Sequence, residues 1–154
     1  MSVAEMISDE LRLENFFTGN FTSEGFILKP NGAVVKKFHV DGKASFRKGT
    51  LTLKEYFEYD DGTDDMRVWQ ILCLPDGSYE GHTVGLIGQP PKAMPVGPLF
   101  QWSYKLKIPI GKISLGLRFD DNMQIHDAGI SNVAIISKFG LPVLKISQLF
   151  KPGF

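Results

Sequence analysis

Residues 51–88 read LTLKEYFEYDDGTDDMRVWQILCLPDGSYEGHTVGLIG, from Leu51 to Gly88, and the alternation within them sets the fold class. Leu51, Leu53, Glu55, Phe57 and Tyr59 fall on one face of a strand and Thr52, Lys54, Tyr56 and Glu58 on the other, because successive side chains alternate across a pleated sheet. Only Glu55 breaks the apolar face. Asp60-Asp61-Gly62 suits a three-residue hairpin loop with glycine in the left-handed position, pairing Tyr59 with Thr63, Phe57 with Asp65, Glu55 with Arg67 and Leu53 with Trp69. The odd acid meets an odd base. The same reasoning at Pro75-Asp76-Gly77 pairs Leu74 with Ser78, Ile71 with Gly81, Trp69 with Thr83 and Arg67 with Gly85. Small residues then face Trp69 and Arg67, and the gap is filled from another wall or by a ligand.

Strand signals continue on both sides of this stretch. Upstream, Ser23–Lys29 and Ala33–Val40 flank an Asn31-Gly32 turn, with Phe38 and Val40 inward and His39 outward, and Asp41-Gly42 reads as the next break. Ser2 and Glu5 have capping-box spacing, and Val3, Met6, Ile7 and Leu11 follow at near-helical intervals, so a short amphipathic helix is expected over residues 3–15. Downstream, Gly88, Pro90, Pro91, Pro95, Gly97 and Pro98 make residues 89–98 a rigid loop, a lid or a long connection. Leu99–Ile108 alternates most cleanly, with Phe100, Trp102, Tyr104, Leu106 and Ile108 on one face. Ile113, Leu115, Leu117 and Phe119 follow, Asp120-Asp121-Asn122-Met123 interrupts as a turn or bulge would, and two more strands run over residues 130–138 and 143–150.

About eight to ten short strands with tight turns predict one all-β domain over residues 1–154, an antiparallel up-and-down meander over residues 21–151 closed into a barrel. Closure removes exposed edges, and a barrel of that size holds a small ligand. Composition sets the outer limits. The chain has 154 residues, 43% of them hydrophobic, and its 17 Lys and Arg balance 17 Asp and Glu. With no basic run longer than Lys36-Lys37, nucleic acid is not an expected partner. No stretch approaches the length of a membrane span, and Cys73, the only cysteine, reads as a structural thiol. The opening residues MSVAEMISDELRLENFF lack the pattern of a secretion signal, so a soluble cytoplasmic protein is expected.

The series FFTGNFTSEG, LTLKEYFEYDDG, RVWQI, DGSYEGH, LFQWSYKL, RFDDNMQIHD and SKFG, in this order over about residues 16–151, resembles the bacterial family called domain of unknown function 3833. The resemblance implies a lipocalin-like (calycin) barrel and no established activity. Glu55, Phe57, Asp61, Gly62, Arg67, Trp69, Gly81, Trp102, Tyr104, Asp121, Met123 and Asn132 are among the matching positions. Val84-Gly85 and Val133 stand where that family shows Asp and Arg, so a shared polar site would be incomplete here. Many relatives resemble lipoproteins; residues 1–17 show no lipid-attachment cysteine, so an envelope location is not expected.

The inner surface expected for a ligand comprises Glu55, Phe57, Arg67, Trp69, Thr83, Phe100, Trp102, Tyr104, Phe119 and Met123. An aromatic wall with a few convergent polar groups is the usual site for a small apolar or amphipathic molecule. Glu55 and Arg67 either orient the ligand or pair with each other. An enzyme on the same barrel, an isomerase, cyclase or lyase of a hydrophobic substrate, would draw its acid or base from Glu55, Tyr104 or Asp121. A solid-core interaction module using residues 89–98 is the third reading. No cofactor or metal is expected: His39, His82 and His126 have outward parity, and Asp120, Asp121, His126 and Asp127 match no ligand spacing. Ligand identity and oligomeric state are not encoded in any motif.

Overall fold

The computed structural model describes residues 11–153. Eleven antiparallel strands form one curled, barrel-like sheet: β1 (Gly19–Leu28), β2 (Val34–Arg47), β3 (Thr50–Tyr59), β4 (Asp64–Cys73), β5 (Tyr79–His82), β6 (Leu86–Ile87), β7 (Lys92–Ala93), β8 (Leu99–Ile110), β9 (Ile113–His126), β10 (Gly129–Lys138) and β11 (Leu141–Pro152). Their order is β6-β8-β9-β10-β11-β1-β2-β3-β4-β5-β7, so the first and last long strands pair and the meander returns on itself. Among the described residues the one helical turn, α1, is Leu13–Phe16.

The β3–β4 hairpin has the register that the turn chemistry predicts: Glu55 opposite Arg67, Leu53 opposite Trp69, and the Tyr59 amide bonded to the Thr63 carbonyl at 2.9 Å. The β4–β5 hairpin agrees as far as Ile71 opposite Gly81, and the ladder stops at Gln70 and His82. The expected pairings of Trp69 with Thr83 and Arg67 with Gly85 do not form. Gly85 adopts a φ of 91° and its carbonyl accepts a bond from Lys107 of β8, because the chain leaves β5 to cross the sheet.

That crossing explains the proline-rich segment. β6 pairs with β8 through Leu86 and Leu106, and β7 pairs with β5 through Tyr79 and Ala93. Residues 83–98 are therefore a connection that stitches the seam between β5 and β8. Proline is tolerated there because an edge position needs no second amide donor. The room beside Gly81 is filled from the opposite wall: a Cβ at this glycine would lie 2.6 Å from the Trp102 ring. Trp69 stacks on Trp102 with centroids 5.4 Å apart, closing the seam on the inside.

Two breaks read from sequence are continuous strand. β2 runs through Asp41-Gly42, and β9 runs through Asp120–Met123, which simply continues the inward parity of Leu117, Phe119 and Asp121. Asp120 and Asp121 consequently face opposite sides. Gly42 is needed for space, since the Phe21 ring lies 2.2 Å from where its Cβ would be.

Most of the expected helix over residues 3–15 lies outside the described residues. Within them, Arg12 is extended (φ −123°, ψ 113°), so no continuous helix reaches residue 15. The backbone is bound to the sheet's loops instead: the Leu11 amide donates to Gly97 O at 2.7 Å and the Leu13 amide to the Tyr79 hydroxyl at 3.1 Å. Tyr79 in turn donates to Glu14 Oε1 at 2.5 Å, and Arg12 lies over its ring, 4.7 Å from the centroid. Leu11, Leu13 and Phe17 are buried and, with Phe21 and Phe150, plug this end of the barrel. Tyr79→Phe leaves Glu14 with Arg12, whose Nη2 lies 3.2 Å from Oε2, but strands the Leu13 amide and Glu14 Oε1, and is expected to cost about 1–3 kcal/mol in urea denaturation.

Candidate functional site

Above the plug, the inward side chains do not fill the sheet. They enclose a cavity of ≈ 350 Å³. Its floor is Leu13, Phe17, Trp69, Trp102 and Phe150, all buried, whereas Ile27, Tyr59, Ile108 and Leu144 at the other end are half-exposed. The cavity therefore opens toward the hairpin tips opposite the plug. A second hollow of ≈ 450 Å³ lies on the outer face beside Asp41, Lys43, Lys54 and Met66, away from both tryptophans.

Strand parity delivers eight of the ten residues expected to line a site. Glu55, Phe57, Arg67, Trp69, Trp102, Tyr104, Phe119 and Met123 border the cavity. Thr83 and Phe100 do not. Thr83 supports Arg67, accepting from its Nη1 at 3.1 Å while donating to Val68 O at 2.7 Å. Phe100 is fully buried between Tyr79 and Trp102, with centroids 5.6 and 4.9 Å away.

A polar belt crosses the apolar wall at mid-depth. Asp121 is 7% exposed and accepts two bonds on Oδ2, from Trp102 Nε1 at 3.0 Å and from the Tyr104 hydroxyl at 2.9 Å. Burial raises its pKa to about 6, although Tyr104, Trp102 and the Asn132 amide all favour the carboxylate. Tyr104 is pushed well above its usual pKa by burial and by Asp121, so it stays a proton donor to that carboxylate. Glu55, also 7% exposed, has no hydrogen bond or ion pair among the described residues. Burial raises it to about 7; Arg67 opposes the rise and Asp121 adds to it.

Opposite register does not bring Glu55 and Arg67 into a direct pair. Arg67 Nη1 is turned to the β5–β6 connection, where it donates to Thr83 Oγ1 and to Val84 O at 3.0 Å. The ladder breaks after His82, and the freed carbonyl and hydroxyl capture the guanidinium.

Asn132 was not among the expected lining residues, yet it is the most informative one. It sits on β10 beside the cavity, 5% exposed, and its Oδ1 is the buried side-chain polar atom without a partner among the described residues. Because the carboxylate of Asp121 favours the amide nitrogen on its side, the oxygen is left buried without a donor among the described residues. The sequence carried a signal for it: Ile130, Asn132, Ala134 and Ile136 share inward parity, and Asn132 is the polar exception. Gln148, which donates to the buried Ser23 hydroxyl at 3.0 Å, is a second such residue.

The remaining candidates have other surroundings. Asp120 faces outward and is bonded by Ser103 and Arg118, and no group of three or more His, Cys, Asp or Glu among the described residues is arranged to hold a metal ion. His39 lies on the outer face between Glu24 and Asp41. Cys73 is half-buried, and burial beside Glu14 pushes its thiol up to about 12, which leaves little thiolate at neutral pH. No helix among the described residues is long and apolar enough to cross a membrane.

Fold and cavity together define a β-barrel-like protein with an aromatic, partly polar interior. A family model described as "Protein of unknown function (DUF3833)" matches residues 2–151, and the chain belongs to that family. No curated protein and no solved structure matches it.

Proposed function

We propose that the protein binds one small amphipathic molecule in its interior, in the manner of a lipocalin-like barrel. The observation that carries this reading is Asn132, a residue lining an open cavity whose buried Oδ1 has no donor among the described residues. An unsatisfied buried polar atom costs about 1–3 kcal/mol, which a ligand's donor group would relieve. The cavity holds about a dozen groups of water size. Glu55 and Asp121 make the belt rich in acceptors, so the fitting head group is a hydrogen-bond donor such as a hydroxyl, with the apolar chain lying against Phe57, Phe119 and Tyr104 toward the mouth.

Calorimetric titration with 1-decanol and with decanoate at pH 8 tests this. Decanol is expected to bind with one-to-one stoichiometry and about tenfold or more tighter than decanoate, which the ionised belt repels. Equal affinity for the two, or no binding of decanol, contradicts the reading.

A second reading has its own support. Glu55 has no partner among the described residues, borders the cavity and is pushed up to about 7 by burial, which are the properties of a general acid or base. If the cavity is catalytic, Glu55→Gln keeps ligand binding and abolishes turnover; a carrier keeps binding and has no turnover to lose.

A further inference from the structure

The up-and-down topology gathers four hairpin tips at the mouth: β1–β2, β3–β4, β8–β9 and β10–β11. Three of these are neighbours along the sheet and share an unusual composition. Residues 25–38, 105–117 and 133–148 contain three, three and two lysines and no Asp or Glu, in a chain without net charge. The fourth hairpin is the reverse, with Glu58, Asp60, Asp61, Asp64 and Asp65, and its Asp61 takes Lys36 of the β1–β2 hairpin in an ion pair at 2.9 Å, which leaves Lys29 and Lys37 there. Charge that cancels over the whole chain is thus segregated at the mouth, as no count of Lys and Asp would reveal.

The three basic hairpins also present their apolar residues to solvent. Phe139 is 93% exposed, Leu141 68%, Ile113 62% and Val34 53%. Phe139 holds a φ of 51°, costly for a bulky residue, and Lys138 Nζ lies 5.1 Å from its ring. Large apolar side chains at loop tips add nothing to the stability of the sheet they leave, and they mark a contact surface when they cluster.

We propose that this side of the mouth docks on an anionic lipid surface. Phe139, Leu141 and Ile113 enter the headgroup region, while Lys29, Lys112 and Lys138 meet the lipid phosphates. Nucleic acid fits less well, because branched aliphatic tips gain nothing from a phosphate backbone. The acidic β3–β4 hairpin is repelled and faces away, so the molecule tilts with its mouth directed toward the surface. The inference rests on the rim alone and holds whatever the interior carries.

Sedimentation of the full chain with vesicles of phosphatidylcholine, alone or mixed with phosphatidylglycerol, tests it. The expected result is binding to the mixed vesicles about tenfold tighter than to phosphatidylcholine, weakening as salt screens the lysines. Phe139→Ser with Leu141→Ser should lower binding to mixed vesicles about tenfold, and Lys112→Glu with Lys138→Glu similarly, at unchanged urea midpoints. No binding to mixed vesicles overturns the proposal. So does binding that the Phe139 and Leu141 substitutions leave unchanged, or a duplex DNA that competes fully with the vesicles.

Discussion

Phe21→Ala is expected to destabilise the protein by about 3–5 kcal/mol, the range for removing a fully buried aromatic ring. Phe21 is 1% exposed, lies edge-on to Phe17 at 5.0 Å and covers Gly42 so closely that no Cβ fits there. Gly42→Val should cost about 1–3 kcal/mol or more by the converse route, since the valine must displace the ring or bend β2. The two changes occupy the same space, so the double variant should be more stable than the sum of the single losses. Urea denaturation of the three variants measures this. A Gly42→Val protein of wild-type stability would mean that Asp41-Gly42 is a turn and that the plug is seated elsewhere.

Glu55→Gln is expected to stabilise the protein at alkaline pH. The carboxyl is held near pKa 7 in the folded state, above its ordinary value of 4.5. Between these two values the folded chain binds more protons than the unfolded one, so stability falls as pH rises from about 4.5 to about 7 and is then level. At pH 8 the shift corresponds to roughly 3 kcal/mol of destabilisation, which glutamine removes. Below pH 4.5 the variant and the wild type should differ little. Asp121 adds a loss of the same sign up to about pH 6. Urea midpoints at pH 4 and pH 8 decide the matter: a Glu55→Gln protein less stable than wild type at pH 8 would show that the carboxylate is paired after all, with Arg67 as the partner. On the geometry described here, Arg67→Met removes two bonds to the β5–β6 connection and strands no carboxylate.

The β3–β4 register was legible because a type of turn fixes it, and the inward set of β8 because alternation there is unbroken. What could not be read locally was the seam. The chain after His82 leaves one sheet edge, pairs two residues with the other and comes back, and only the relative position of β5 and β8 decides that path. Arg67 was misassigned for this reason, because its partners belong to the crossing. Gly42 was misread for a related one, and at Gly81 the sequence left open which wall fills the space: both make room for rings, Phe21 and Trp102, that arrive from distant sequence. Asn132 was readable in principle, as a polar residue at an inward position, but its missing partner is a property of three strands together. The basic half of the mouth was likewise invisible in a neutral composition until the topology put three hairpins side by side.

The central claim is that the interior is a ligand cavity, and filling it is the most direct test. Ala134 is 1% exposed and lies on the cavity wall opposite Asp121 in register. In the decanol titration, Ala134→Phe at an unchanged urea midpoint is expected to abolish binding, and Asn132→Leu to weaken it about tenfold. If Ala134→Phe binds decanol with wild-type affinity, the ligand lies outside the barrel and the claim is wrong.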